Sequence, residues 1–125
     1  MFGRKATALP DGWRVLASIA ELDAALAASE TRPQLLFKHS TRCSISDIAF
    51  SRLKTGADTL EHVMQVHYLD LIAHRDVSNA IAERLQVPHE SPQTLLVYKG
   101  ECVLDQSHSG ILPAELLEVA QPLQG

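Results

Sequence analysis

The chain alternates compact apolar runs of strand length with stretches whose apolar residues recur at helical spacing, and that alternation admits few architectures. The runs are "QLLFK" (34–38), "VHYLDLI" (66–72) and "TLLVY" (94–98), with "WRVLAS" (13–18) as a shorter first strand. Between "WRVLAS" and "QLLFK" lies "IAELDAALAAS", opened by Ser18 and Glu21 at capping-box spacing and broken behind by "TRP". From Ser44 onward Ile45, Ile48, Ala49 and Leu53 recur at helical spacing, and this helix stops before Gly56. "DVSNAIAERLQV" (76–87) is a third helix, and "TLLVYKGECVLDQSHS" reads as two strands turning at Lys99-Gly100. Pro113 suits the first turn of a last helix that ends before Pro122. The order is β-α-β-α-β-α-β-β-α. Strands alternating with helices run parallel and a closing hairpin runs antiparallel, so the expectation is an α/β fold with a mixed central sheet of four to five strands and helices on both faces.

The 125 residues are expected to form one domain over 1–125, with a polar N-terminal leader over 1–12. An apolar content of 46% is that of a globular chain. The formal charge of −4 leaves no basic excess to neutralise phosphates, which argues against nucleic acid as a partner. No run approaches the ~18 apolar residues of a membrane span, so no membrane partner is expected. No apolar segment follows the basic residues of the leader as a secretory signal would require. Two cysteines far apart make no disulfide framework, and a cytoplasmic setting with both reduced is the expectation. His62, His67 and His74 lack paired-ligand spacing, so no metal site is expected.

One cysteine stands where chemistry could be done. In "KHSTRCSIS" (38–46), Cys43 falls at the start of a helix, where unpaired N–H groups and the positive end of the dipole favour an anion. Arg42 adds a neighbouring cation, and Ser40, Thr41 and Ser46 offer hydroxyl donors to a sulfur. Thiolates, not thiols, are the nucleophiles, so these features agree with one another. The bland alternative is a cysteine packing as a small hydrophobe, with Arg42 solvated and the hydroxyls acting as helix caps.

A second feature is "HESPQ" (89–93), directly before a strand. Proline offers no N–H, and a cis bond at Pro92 would expose the backbone of Ser91 to a passing chain or thiol adduct. Cys102, in the hairpin strand beside Val103 and Leu104, suits packing better than resolution of a disulfide. His39 either polarises the cysteine or closes its strand as a satisfied, partly buried imidazole. The residues favour the second slightly. His89 and His108 have no role derivable from the sequence.

"FKHSTRCSIS", "LDLIAHRDVSNAIAERLQVPHESPQTLLVYKGE" and "SHSGI" together resemble the monothiol bacilliredoxins, bacillithiol-system proteins of the thioredoxin superfamily. The likeness runs from about residue 13 to 117. It implies a thioredoxin-like fold with Cys43 as the nucleophile and Ser46 where a resolving cysteine would stand. It also implies that Pro92 is a cis proline facing the cysteine, that Ser91 contacts a substrate chain, and that Thr41, Arg42 and Ser46 help to bind the thiol. The family commonly has proline directly after the cysteine, whereas this chain has Ser44, a change that bears on redox properties and leaves the nucleophile in place.

By this resemblance the protein is an enzyme, a thiol–disulfide oxidoreductase with no bound cofactor. A low-molecular-weight thiol, bacillithiol or similar, is its co-substrate, and S-thiolated client proteins are its partners. One cysteine cannot release itself through an internal disulfide, so a small thiol must complete each cycle. The rival readings keep the fold and change the use. One is a non-catalytic binding module built on the Cys43 and Pro92 face, and the other is a monothiol protein sharing an iron–sulfur cluster between subunits.

Overall fold

A computed structural model describes residues 8–124; of the expected leader, residues 1–7 lie outside the described residues. The strands are β1 (Arg14–Val15), β2 (Gln34–His39), β3 (Gln65–Asp70), β4 (Gln93–Tyr98) and β5 (Glu101–Ser107). The helices are α1 (Ile19–Ala28), α2 (Ser44–Thr55), α3 (Ala57–Val63), α4 (Arg75–Leu85) and α5 (Pro113–Ala120). The strands make one five-stranded sheet in the order β1-β3-β2-β4-β5. β1, β3 and β2 run parallel, while β4 runs antiparallel to both β2 and β5. The mixed sheet expected from the alternation is therefore present.

Period-two alternation in the strands divides the core between the two faces. Leu35 and Phe37 of β2, Val66 and Tyr68 of β3 and Leu96 of β4 pack against Phe50 and Leu53 of α2, Leu60 of α3 and Leu116 of α5. Leu36, Leu69, Leu95 and Val97 face the other way, onto Leu22 and Ala25 of α1 and Val77, Ile81 and Leu85 of α4. Each such aliphatic or aromatic side chain withdrawn from water contributes roughly 1.5–3 kcal/mol. β2 is buried along its whole length because helices cover both of its faces.

Local chemistry sets the boundaries. Ser18 caps α1 by accepting from the Glu21 N–H at 3.1 Å, and Glu21 Oε1 reaches back to the Ala17 N–H at 2.7 Å. That cap shortens β1 to two residues, against the six expected over 13–18. Asp70 Oδ1 accepts from the N–H groups of Ile72 and Ala73, both at 3.1 Å, so β3 turns at Asp70 before it can run to Ile72. Lys99 and Gly100, with φ of 53° and 78°, form the hairpin turn read from the sequence.

Two expectations change. The sequence reading gave no element between Gly56 and β3, yet α3 occupies it. Gly56 sits at φ −96°, ψ 13°, which bends the chain and lets a helix resume, burying Ala57, Leu60 and Val63. In α2 the buried residues are Ser46, Ala49, Phe50 and Leu53. Ile45 and Ile48, read as part of the core face, are 46% and 54% exposed.

Candidate active site

β2 and β4 are neighbours, with Lys38 opposite Gln93 as the last registered pair at one end of the sheet. His39 follows Lys38 and Pro92 precedes Gln93, so the segments carrying Cys43 and Pro92 leave the ladder side by side. Cys43 is the N-cap of α2, with φ −125° and ψ 121°, and its carbonyl accepts from the Asp47 N–H at 3.1 Å to start the helix. Its own N–H donates to Ser40 O at 3.3 Å, which ties a tight turn between strand and helix. The sulfur is half-buried and free, next to exposed Thr41 and Arg42. As N-cap, Cys43 stands at the end of α2 where the first-turn N–H groups lack intrahelical partners, and its side chain makes no cap hydrogen bond. Asp47 places a carboxylate in that same turn, where it competes with any thiolate for the positive pole.

The Ser91–Pro92 peptide bond is cis. Pro92 is buried and Ser91 half-buried, and the Pro92 carbonyl accepts from the His108 N–H at 3.1 Å. His108 Nε2 lies 3.3 Å from Glu90 Oε1, so the 107–110 segment is tied to the proline loop at two points.

Ser46 is placed differently from the sequence expectation. Its side chain is fully buried, and its hydroxyl accepts from the Ser40 N–H at 2.9 Å while meeting His39 Nδ1 at 2.6 Å. Burial lowers the His39 pKa, opposed by Asp47 and Asp70, so the ring is neutral at pH 7. Asp47 Oδ1, 3.7 Å from Nε2, favours the ring proton there, which leaves Nδ1 to accept the one proton of the Ser46 hydroxyl. Among the described residues no hydrogen bond joins Ser40, Thr41 or Ser46 to the Cys43 sulfur. Ser46 therefore braces the turn from behind and cannot touch a substrate. His39 is the satisfied, buried imidazole that closes its strand, packed on Phe37, Phe50 and Tyr68 at centroid distances of 5.6, 4.9 and 5.6 Å.

Two residues that the sequence reading did not single out hold the proline loop. Lys38 is 0% exposed, and its Nζ donates to Ser78 O and to His89 Nδ1, both at 3.1 Å. Burial pushes its pKa down to about 8. His89 in turn is held neutral by burial and by the Lys38 ammonium. Gln93, also fully buried, donates from Nε2 to Pro88 O at 3.1 Å and accepts from the Glu90 N–H at 3.3 Å. A lysine and a glutamine at the end of apolar runs were the available signal: neither belongs in a core unless a polar partner awaits it.

Cys102 lies at the other end of the sheet. It pairs with Val97, which pairs with Gln34 at the start of β2, so the length of β2, on the order of 17 Å, separates it from the Cys43 end. A disulfide needs Cα atoms within ~7 Å, so Cys102 cannot resolve an adduct on Cys43. It packs against the α1 and α4 core, and burial, with help from Asp105, pushes its thiol up to about 11.

Comparison with known proteins shows the family and the fold. The family model described as "Monothiol bacilliredoxin BrxC" matches residues 14–116. A solved structure described as a candidate oxidoreductase with a thioredoxin fold is 28% identical, with a TM-score of 0.76 over 86% of this chain and 92% of that one. Fasciola hepatica thioredoxin (16% identity, TM-score 0.67, 87% and 97% covered) and Malassezia sympodialis thioredoxin (11%, 0.71, 98% and 100%) share the fold. The architecture is thioredoxin-like.

Proposed function

Because this chain belongs to the monothiol bacilliredoxin family, a group of redox proteins of thioredoxin fold, we propose that it removes a low-molecular-weight thiol, bacillithiol by the family's name, from S-thiolated proteins. The Cys43 thiolate attacks the small thiol's sulfur in the protein–S–S–thiol adduct. That S–S bond breaks, the client cysteine leaves as a thiolate and takes a proton from water, and Cys43 carries the small thiol as a mixed disulfide. A second small thiol, as its thiolate, then attacks the same sulfur. Cys43 is released, a symmetric small-molecule disulfide forms, and two electrons have passed from free thiol to client.

The observation that carries this reading is the solitary sulfur. Cys43 stands half-open at the same end of the sheet as a cis proline, the position three residues on is a buried serine, and the other cysteine is at the far end of the sheet. Nothing within reach could close an internal disulfide, so an outside thiol must finish each turnover. Arg42 and Thr41 flank the sulfur on the exposed side and are the residues assigned to the incoming thiol. Ser91 and Pro92 are the residues assigned to the client chain, and Ile45 and Ile48 give α2 an apolar rim near Cys43 for the client surface. The setting is a compartment that keeps small thiols reduced, such as the cytoplasm.

The test offers the protein one substrate carrying bacillithiol and the same substrate carrying glutathione, and reads the adduct on Cys43 by mass spectrometry. Faster transfer of bacillithiol is expected, with no adduct on Cys43→Ser and an unchanged adduct on Cys102→Ser. Failure of Cys43 to take up either thiol ends the proposal.

A further inference from the structure

At the end of the sheet remote from Cys43, a cavity of about 440 Å³ opens between α1 and the start of β1 and β2. Ala24, Ala25 and Ala28 of α1 offer methyl groups and Val15 a further apolar side chain, while Glu21 of the same helix, Arg14, Gln34 and His67 supply the polar side. This size is within the range of small-molecule sites, which pair an apolar surface with a few convergent polar groups.

His67 shows what the cavity lacks. It is 5% exposed, and Gln34 fixes its tautomer. Gln34 Nε2 donates to Arg32 O at 3.1 Å, which turns Gln34 Oε1 to His67 Nε2 at 2.7 Å. The ring proton is therefore on Nε2, and Nδ1 is a bare acceptor. That nitrogen has no hydrogen-bond partner among the described residues. It is also not one of the sealed, unpartnered atoms, which are Trp13 Nε1 and Glu61 Oε2, so it opens onto the cavity that His67 lines. Burial and the Arg14 guanidinium push the ring's pKa down to about 4, against the opposing pull of Glu21, and it stays neutral at pH 7.

Arg14 and Glu21 both act on this ring and both line the cavity, yet they do not pair. The acid–base contacts among the described residues join His39 to Asp47, Arg84 to Asp23 and His108 to Glu90, and none joins Arg14 to Glu21. Glu21 Oε1 is engaged by the Ala17 N–H, and its second oxygen has no such partner. A cation and a carboxylate that line one cavity without pairing are complementary to a molecule bearing both charges. We infer that this cavity binds a small zwitterion of the α-amino-acid type, its carboxylate on Arg14, its ammonium on Glu21, and a flat side chain on the alanine methyls giving an N–H or O–H to His67. This site is independent of the redox reading, since it shares no residue with the Cys43 end.

L-Tryptophan is a suitable probe, with tryptamine (no carboxylate) and indole-3-propionate (no ammonium) as matched analogues. Titration of the full ¹⁵N-labelled chain should give saturable shifts at Arg14, Glu21 and Gln34 with tryptophan, and should move the His67 Nδ1 resonance. Each analogue should bind roughly tenfold more weakly, for loss of one charge-assisted bond. Arg14→Gln should make tryptophan no better than tryptamine, and Glu21→Gln should make it no better than indole-3-propionate. Ala28→Leu, which fills the cavity without removing a polar group, should abolish the shifts. The inference is overturned by the absence of saturable shifts at these residues up to about 10 mM, by analogues that bind as well as tryptophan, or by undiminished binding to Ala28→Leu.

Discussion

Lys38 Nζ and His89 Nδ1 lie 3.1 Å apart, a buried ammonium bonded to a neutral imidazole. The lysine pKa falls from 10.5 to about 8 by burial, so the folded protein holds this proton less tightly than the unfolded chain does. Between those two values the unfolded state binds more protons, and stability contributed by this group rises with pH. Denaturant unfolding followed from pH 7.5 to 10.5 should show that rise, and Lys38→Met should flatten it. A wild-type curve already flat over this window would place the lysine's charge in water.

Cys102 gives a second pH signature. Its thiol is held protonated up to about 11, and only the thiolate alkylates, so its labelling by iodoacetamide should climb about tenfold per pH unit as the pH rises toward that value. Mass-resolved labelling at pH 7 should therefore find Cys43 modified and Cys102 untouched. Equal labelling of the two would contradict the packing role given to Cys102.

Ser46 stands three residues from Cys43 on the first turn of α2, a separation of about 5 Å between Cα atoms in helical geometry. Ser46→Cys should convert the site to a dithiol that closes an internal disulfide and no longer depends on a second small thiol for release. Ser46→Ala should instead lower stability by about 1–3 kcal/mol, since the buried Ser40 N–H loses its acceptor. The measurements are thiol counting after oxidation and thermal unfolding; one free thiol, that of Cys102, is expected in the oxidised Ser46→Cys variant, and retention of all three would count against the monothiol logic.

The exposed isoleucines of α2 predict a split between large and small substrates. Ile48 is 54% exposed, so Ile48→Asp should leave stability within about 0.5 kcal/mol of wild type. Exchange with an S-thiolated protein should slow by roughly tenfold, and exchange with a small-molecule disulfide should be unchanged, because only the protein has a surface to lay on the helix. Equal slowing of both would remove Ile48 from the client contact.

What could be read before the structure was what local chemistry decides. The Ser18 cap, the Lys99-Gly100 turn, Pro113 at the start of α5 and the alternation of apolar runs each depend on neighbours within a few residues, and each is present. Cys43 at a helix start was legible for the same reason. The misses are tertiary. Ile45 and Ile48 fit a helical stripe, but packing of Phe50 against Trp13, Phe37 and Tyr68 rotates α2 so that Ser46 faces inward and the isoleucines face out. Gly56 looked like an end, and the apolar residues after it, Leu60 and Val63, were the overlooked sign of α3. Lys38 and Gln93 could be understood only once the partner strand and the 88–90 loop were in place to receive them.

The distance between the two sulfurs sets the tempo of the proposed cycle. A protein that could seal its own disulfide would recover at a rate intrinsic to its chain. Here the loaded form waits for a collision, so its lifetime scales inversely with the supply of free thiol outside. In a well-fed cell the cysteine clears quickly. When that supply runs low the occupied form accumulates, and the fraction of molecules carrying a passenger becomes a gauge of reducing capacity.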